Sequence, residues 1–233
     1  MAAGMAAPVV PRWGLGAAVI GWVGGLVCGS LLLGAWVVLT GRDATALSSV
    51  AVAQVGFWIG LLGAVIVTSR RGGTGNVADD FGLRFRAVDI IVGGLSGFGA
   101  QVLVVLLYLP FQSFYDSKDL EQPARELADK AHGVSFVVFA LVIAIGAPVV
   151  EELFYRGLLL RSLQRYVATG PAVLISGFVF GATHFELLQL PALALVGVLF
   201  AVLAVRTGRL GPAIWAHIVF NATTVIALAL ERS

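Results

Sequence analysis

Charge is scarce in this sequence. Only 12% of its 233 residues are Asp, Glu, Lys or Arg, against roughly 25% in ordinary soluble domains, while 59% are hydrophobic. A net charge of +2, without a basic stripe carrying interleaved aromatics, excludes nucleic acid as a partner. Cysteine is nearly missing as well. Cys28 stands alone, so no disulfide forms within the chain, and in its apolar run it reads as a small buried hydrophobe. The helical zinc signature His-Glu-x-x-His does not occur. Nor does a Ser–His or Cys–His triad assemble: Cys28 is distant in sequence, and Ser176 has no acid partner.

What the chain does have is long uncharged runs, several reaching the ~18–20 residues that cross a bilayer. They predict an all-α fold, a polytopic transmembrane helical bundle of about seven spans, near 13–39, 50–68, 87–111, 134–160, 171–185, 187–205 and 211–230. A break at Pro148 would split the fourth and give eight. The first run is too long for a cleaved signal peptide and reads as a retained span. Gly21, Gly25 and Gly29 recur every four residues, as do Gly56 and Gly60, the spacing that lets helices approach closely. The loop 69–86 holds Arg70, Arg71, Arg84 and Arg86 with three glycines that predict flexibility. Asp89 reads as an interfacial residue. In the polar stretch 112–132, Pro123 suits a first helical turn. Leu120, Ala124, Leu127, Ala128 and Ala131 share one face there, which predicts a surface amphipathic helix.

Arginines at 12, in loop 69–86, at 161 and 165, and at 206 and 209 mark the cytoplasmic side. The N-terminus is therefore expected inside and the C-terminus outside. The Ala/Gly/Val-rich composition points to a bacterial cytoplasmic membrane. Two parts are expected: residues 1–133, three spans with polar loops and the amphipathic helix, and residues 134–233, four spans carrying the chemistry.

That chemistry is concentrated in Glu151, Glu152 and Arg156, the only charges between positions 134 and 160. Each costs roughly 2.5–3.5 kcal/mol at mid-membrane on insertion scales. Glu152 and Arg156 lie four apart on one helical face, acid before base. Glu151 is turned about 100° away and left unneutralised. His184 follows Phe180 by four residues, and Asn221 follows His217 by four. At 1.5 Å per residue, Glu151, His184, His217 and Asn221 fall within about two helical turns of one level, from three spans. Polar groups in membranes face the bundle interior, which predicts that they meet. Glu151 and His184 then offer a base and a proton shuttle for water. His217 and Asn221 offer hydrogen bonds to an oxyanion. Two glutamates and two histidines, Glu151, Glu152, His184 and His217, also leave a divalent metal such as zinc open as a cofactor.

These residues carry a resemblance. The sequences EELFYR (151–156), FGATH (180–184) and HIVFN (217–221) match, in order and spacing, the three motifs of the CAAX prenyl protease and bacteriocin-processing (CPBP, or Abi) family of intramembrane endopeptidases. The approach RTGRLGPAIWAH is similar to the family's lead into its last motif. The resemblance implies peptide-bond hydrolysis in which Glu151 and His184 activate water and His217 and Asn221 stabilise the oxyanion. Glu152, Arg156 and Phe180 would support the site. The implied partners are the lipid bilayer and a peptide or protein substrate, lipidated in some members. Family members are often labelled metalloproteases, a metal-free glutamate mechanism is also argued, and the metal-free version is preferred. Two other classes compete: a non-catalytic scaffold or bacteriocin-immunity protein, and a proton-coupled transporter, for which no inverted repeat is found.

Overall fold

The computed structural model describes residues 13–111 and 117–232. Arg12, Asp116 and Ser233, which bear on the topology and the polar stretch, lie outside them. The described chain is helical: α1 (Leu15–Thr40), α2 (Leu47–Gly72), α3 (Val77–Phe81), α4 (Ala87–Tyr108), α5 (Ser117–Lys130), α6 (Val134–Leu163), α7 (Thr169–Ala182), α8 (Leu190–Thr207) and α9 (Gly211–Leu230). Six of these, α1, α2, α4, α6, α8 and α9, are long and apolar enough to cross a membrane. The remaining expected span, 171–185, is α7, whose 14 residues rise only ~21 Å. The chain is an integral membrane protein, and large apolar side chains from Val19 to Leu230 are exposed on its surface.

Small residues set the helix contacts. A Cβ on Gly60 of α2 would lie 2.2 Å from the Gly25 nitrogen of α1, so those backbones touch directly. Gly97 of α4 is held as closely by α9: a Cβ there would lie 2.2 Å from the Ala216 carbonyl oxygen. With little hydrophobic drive between helices in lipid, such contacts supply much of the association. The α4–α9 contact also fixes the backbone that precedes His217.

Three local expectations change. Loop 69–86 is ordered: α3 forms within it, capped by the Asn76 side chain. Asp80 accepts from the Ser69 hydroxyl at 2.5 Å and from the Thr74 N–H at 2.9 Å. Acidic partners outweigh the glycines there. Asp89 is fully buried, accepting from Arg209 Nη2 at 2.5 Å and from the Arg86 N–H at 2.8 Å, because the α8–α9 turn closes over the start of α4. Pro123 lies inside α5, since that helix begins six residues before it. The apolar face of α5 is as expected: Ala128, and Ala131 just past the helix end, are wholly buried.

Helix α6 runs unbroken past Pro148, so the eight-segment alternative does not arise. It widens instead into two π-helical stretches, Val142–Gly146 and Leu153–Leu159. Such stretches are rare and recur at functional sites.

Candidate active site

A cavity of about 460 Å³ lies among all the long helices except α1, with α5 across one end. Most of its wall is apolar. Glu151, His184, His217 and Asn221 all line it.

Helix α6 divides its two glutamates as the 100° offset requires. Glu152 points into protein with no exposed surface, accepting from Arg156 Nη1 at 2.8 Å. Glu151 points into the cavity with 17% of its side chain accessible. Arg156, also enclosed, donates its Nη2 to the Gly197 carbonyl of α8 at 2.9 Å. Its guanidinium lies 4.4 Å from the Phe180 ring centroid, a cation–π contact strengthened by the lack of water.

Phe180 is the wedge of the site. Beyond holding Arg156, its ring meets His184 edge-on at 5.0 Å and His217 at 5.6 Å. It therefore spaces the two imidazoles. Just past α7, His184 donates through Nδ1 to the Phe180 carbonyl at 2.8 Å. A carbonyl only accepts, so in the neutral ring the lone pair is at Nε2. Phe185 then turns the chain with φ 58°, a left-handed conformation uncommon outside glycine.

His217 stands between the two carboxylates. Its Nδ1 is 2.9 Å from Glu152 Oε1, and its Nε2 is 3.8 Å from Glu151 Oε2. Phe200 of α8 covers its other side at 4.9 Å. Asn221, one turn on, donates its amide to the Ile143 carbonyl of α6 at 2.9 Å.

Several of these partners are not visible in the motifs. Glu152 binds both Arg156 and His217; the latter is 65 residues away. Phe200, and the carbonyls of Gly197 and Ile143, leave no signature in sequence. Gln101 of α4 is different. It donates to the Phe220 carbonyl at 2.9 Å and Thr224 Oγ1 at 3.1 Å, and a lone amide in an apolar span was a readable signal.

The four candidate metal ligands, Glu151, Glu152, His184 and His217, do not form a metal-binding group. Glu152 is committed to Arg156, and the His217 nitrogen nearest it is turned to that same carboxylate. Among the described residues, no three of His, Cys, Asp and Glu form a group able to hold a metal ion. The donor set as it stands does not fit a metal centre.

Residues 133–223 match the model of a family described as type II CAAX prenyl endopeptidase Rce1-like. A protein of Bacillus subtilis (strain 168) described as "Putative membrane peptidase YdiL" is 34% identical over 91 residues, covering 39% of this chain and 37% of that protein. The match thus spans little more than a third of that curated relative's length. No solved structure matches. The resemblance to the CPBP family is borne out over this stretch.

Proposed function

We propose that this chain, CPBP-like over residues 133–223, is an intramembrane endopeptidase that hydrolyses a peptide bond with water activated by Glu151 and His184. The observation that carries the reading is the convergence of Glu151, His184, His217 and Asn221 on one cavity, with every other charge of the cluster enclosed in pairs.

In the proposed reaction Glu151 takes a proton from water as its oxygen bonds to the scissile carbonyl carbon. The carbonyl π pair moves to oxygen, and that oxyanion accepts from the free Asn221 amide hydrogen and from His217 Nε2. The C–N bond then breaks. The amine leaves with the proton, relayed by Glu151 or by the Nε2 lone pair of His184, and the other product is a carboxylic acid. Donation from His217 Nε2 requires protons on both ring nitrogens, since Nδ1 faces Glu152. Carboxylates at 2.9 Å and 3.8 Å supply the counter-charge for that state. With His217 so protonated, the charges of Glu151, Glu152, Arg156 and His217 cancel, as a membrane interior favours.

The substrate class follows the family's description: a peptide or protein, lipidated where the client is a prenylated tail. A farnesylated, internally quenched peptide with a CAAX-type end, supplied to protein in liposomes, is the direct assay. A comparison of membrane proteomes for new termini covers other clients. Glu151→Gln and His184→Ala should be silent. Asn221→Ala should lose about 100–1,000-fold in turnover and keep a measurable trace. Activity abolished by chelator and restored by zinc would replace the metal-free scheme. Cleavage undiminished in Glu151→Gln would end the mechanism.

A further inference from the structure

Asn221 has one amide hydrogen already engaged, and its partner is unusual. The Ile143 carbonyl that accepts it, at 2.9 Å, lies in the first π-helical stretch of α6. Inside a helix a carbonyl is normally taken by the N–H four residues on, or five in a π turn. Both donors fail at this position. The Ala147 N–H, four residues on, is spent on the Val142 carbonyl. Five residues on stands Pro148, which has no N–H at all.

We infer that Pro148 is a positioning residue for Asn221: by withholding a donor it leaves the Ile143 carbonyl free to fix one hydrogen of the Asn221 amide. The amide is planar, so fixing one hydrogen fixes the direction of the other. Ile143 and Asn221 both line the cavity, which makes that second hydrogen the one available to an oxyanion. The surrounding packing holds the arrangement. Pro148 is buried. Trp58 of α2 fills the space beside Gly146, where a Cβ would lie 2.8 Å from the indole. The π stretch is thus braced from outside the helix while its free carbonyl is turned to α9. An alanine at 148 would restore an N–H that competes for Ile143 and release the Asn221 side chain to rotate.

The chain has two asparagines, Asn76 and Asn221, so ¹⁵N-asparagine labelling gives two side-chain amide pairs. Asn76 is an exposed helix cap and serves as the internal reference. In lipid nanodiscs the Asn221 pair, assigned by its loss in Asn221→Ala, should show one proton shifted downfield. That shift should collapse in Pro148→Ala. It should be rescued when lactic acid is placed at 148 by nonsense suppression, because an ester, like proline, offers no N–H. A ring effect would not be rescued in that way. On the farnesylated reporter, Pro148→Ala should lose about tenfold or more in kcat with KM unchanged, approaching Asn221→Ala. It should add nothing in an Asn221→Ala background.

An Asn221 pair unaltered by Pro148→Ala, or a shift lost in the lactic acid variant, would overturn the inference. If Pro148→Ala does not fold, the lactic acid variant decides alone. Only the kinetic arm rests on the proposed function. Asn221→Ala turning over at the wild-type rate would remove the oxyanion role while the amide signal still tested the Pro148 device.

Discussion

At Glu152 a single carboxylate oxygen serves both Arg156 and His217. Removing either neighbour has unequal consequences. Without Arg156 the carboxylate is buried and unpaired, a loss of about 3–5 kcal/mol, and the Gly197 carbonyl loses its donor too. Arg156→Ala should therefore give little folded protein by fluorescence-detected size exclusion. Arg156→Lys should recover part of the yield, because one ammonium reaches fewer acceptors and stacks poorly on Phe180. Glu151→Gln should fold like wild type, since Glu151 lines the cavity and pairs with no arginine. Equal yields for Arg156→Ala and Glu151→Gln would deny the structural role of the buried pair. The division between the two glutamates was legible in sequence, from charge cost and a helical wheel alone. Their link to His217 was not, because nothing in residues 151–156 says which distant helix supplies the next partner.

The helices were legible where solvation dictates them. Charged residues end the apolar runs, and six long helices plus α7 fall where the uncharged stretches predict. Internal helix geometry was less readable. Hydrophobicity varies little around α6, so its periodicity cannot tell a π turn from a break at Pro148. Loop 69–86 misled for a related reason: glycine content suggests freedom, while Asp80 ties the loop back by accepting from Ser69 and Thr74, eleven and six residues earlier. Small-residue spacing was the most dependable signal at this scale, and it gives a sharp contrast on α1 and α2. A Cβ at Gly60 meets α1 backbone at 2.2 Å, whereas one at Gly24 meets nothing within 4 Å. Gly60→Leu should force the two helices apart and lower the thermal midpoint by several degrees. Gly24→Leu should leave it within about a degree, as expected of a lipid-facing change. Identical midpoints would mean that α1 docks on α2 by some other surface.

The ends of the molecule are chemically different. At one end Arg165 donates to the Trp13 carbonyl at 2.7 Å, Arg209 pairs with Asp89, and the Leu210 N–H bonds to Gly82 at 2.7 Å. At the other, Lys130 reaches Thr45, Arg125 pairs with Glu231, and Arg232 donates to the Ala131 carbonyl at 2.7 Å. Residues 13 and 232 thus sit at opposite ends, which requires an odd number of crossings and suits seven. The positive-inside rule predicts that the arginine-rich end is cytoplasmic. In a Cys28→Ala background, Ser233→Cys should then react with an impermeant thiol reagent applied outside intact cells, and Thr74→Cys only after lysis. The orientation also constrains the chemistry, because Leu120, Glu121 and Ala124 of α5 line the cavity at the Glu231 end. If that end is outside, the proposed peptidase would meet its scissile bonds from the outer leaflet, a route suited to exported or membrane-inserted peptides. Labelling of Ser233→Cys only from the cytoplasmic side would invert the molecule. The same cavity would then face cytoplasmic tails, the setting in which a prenylated CAAX-type client is the natural substrate.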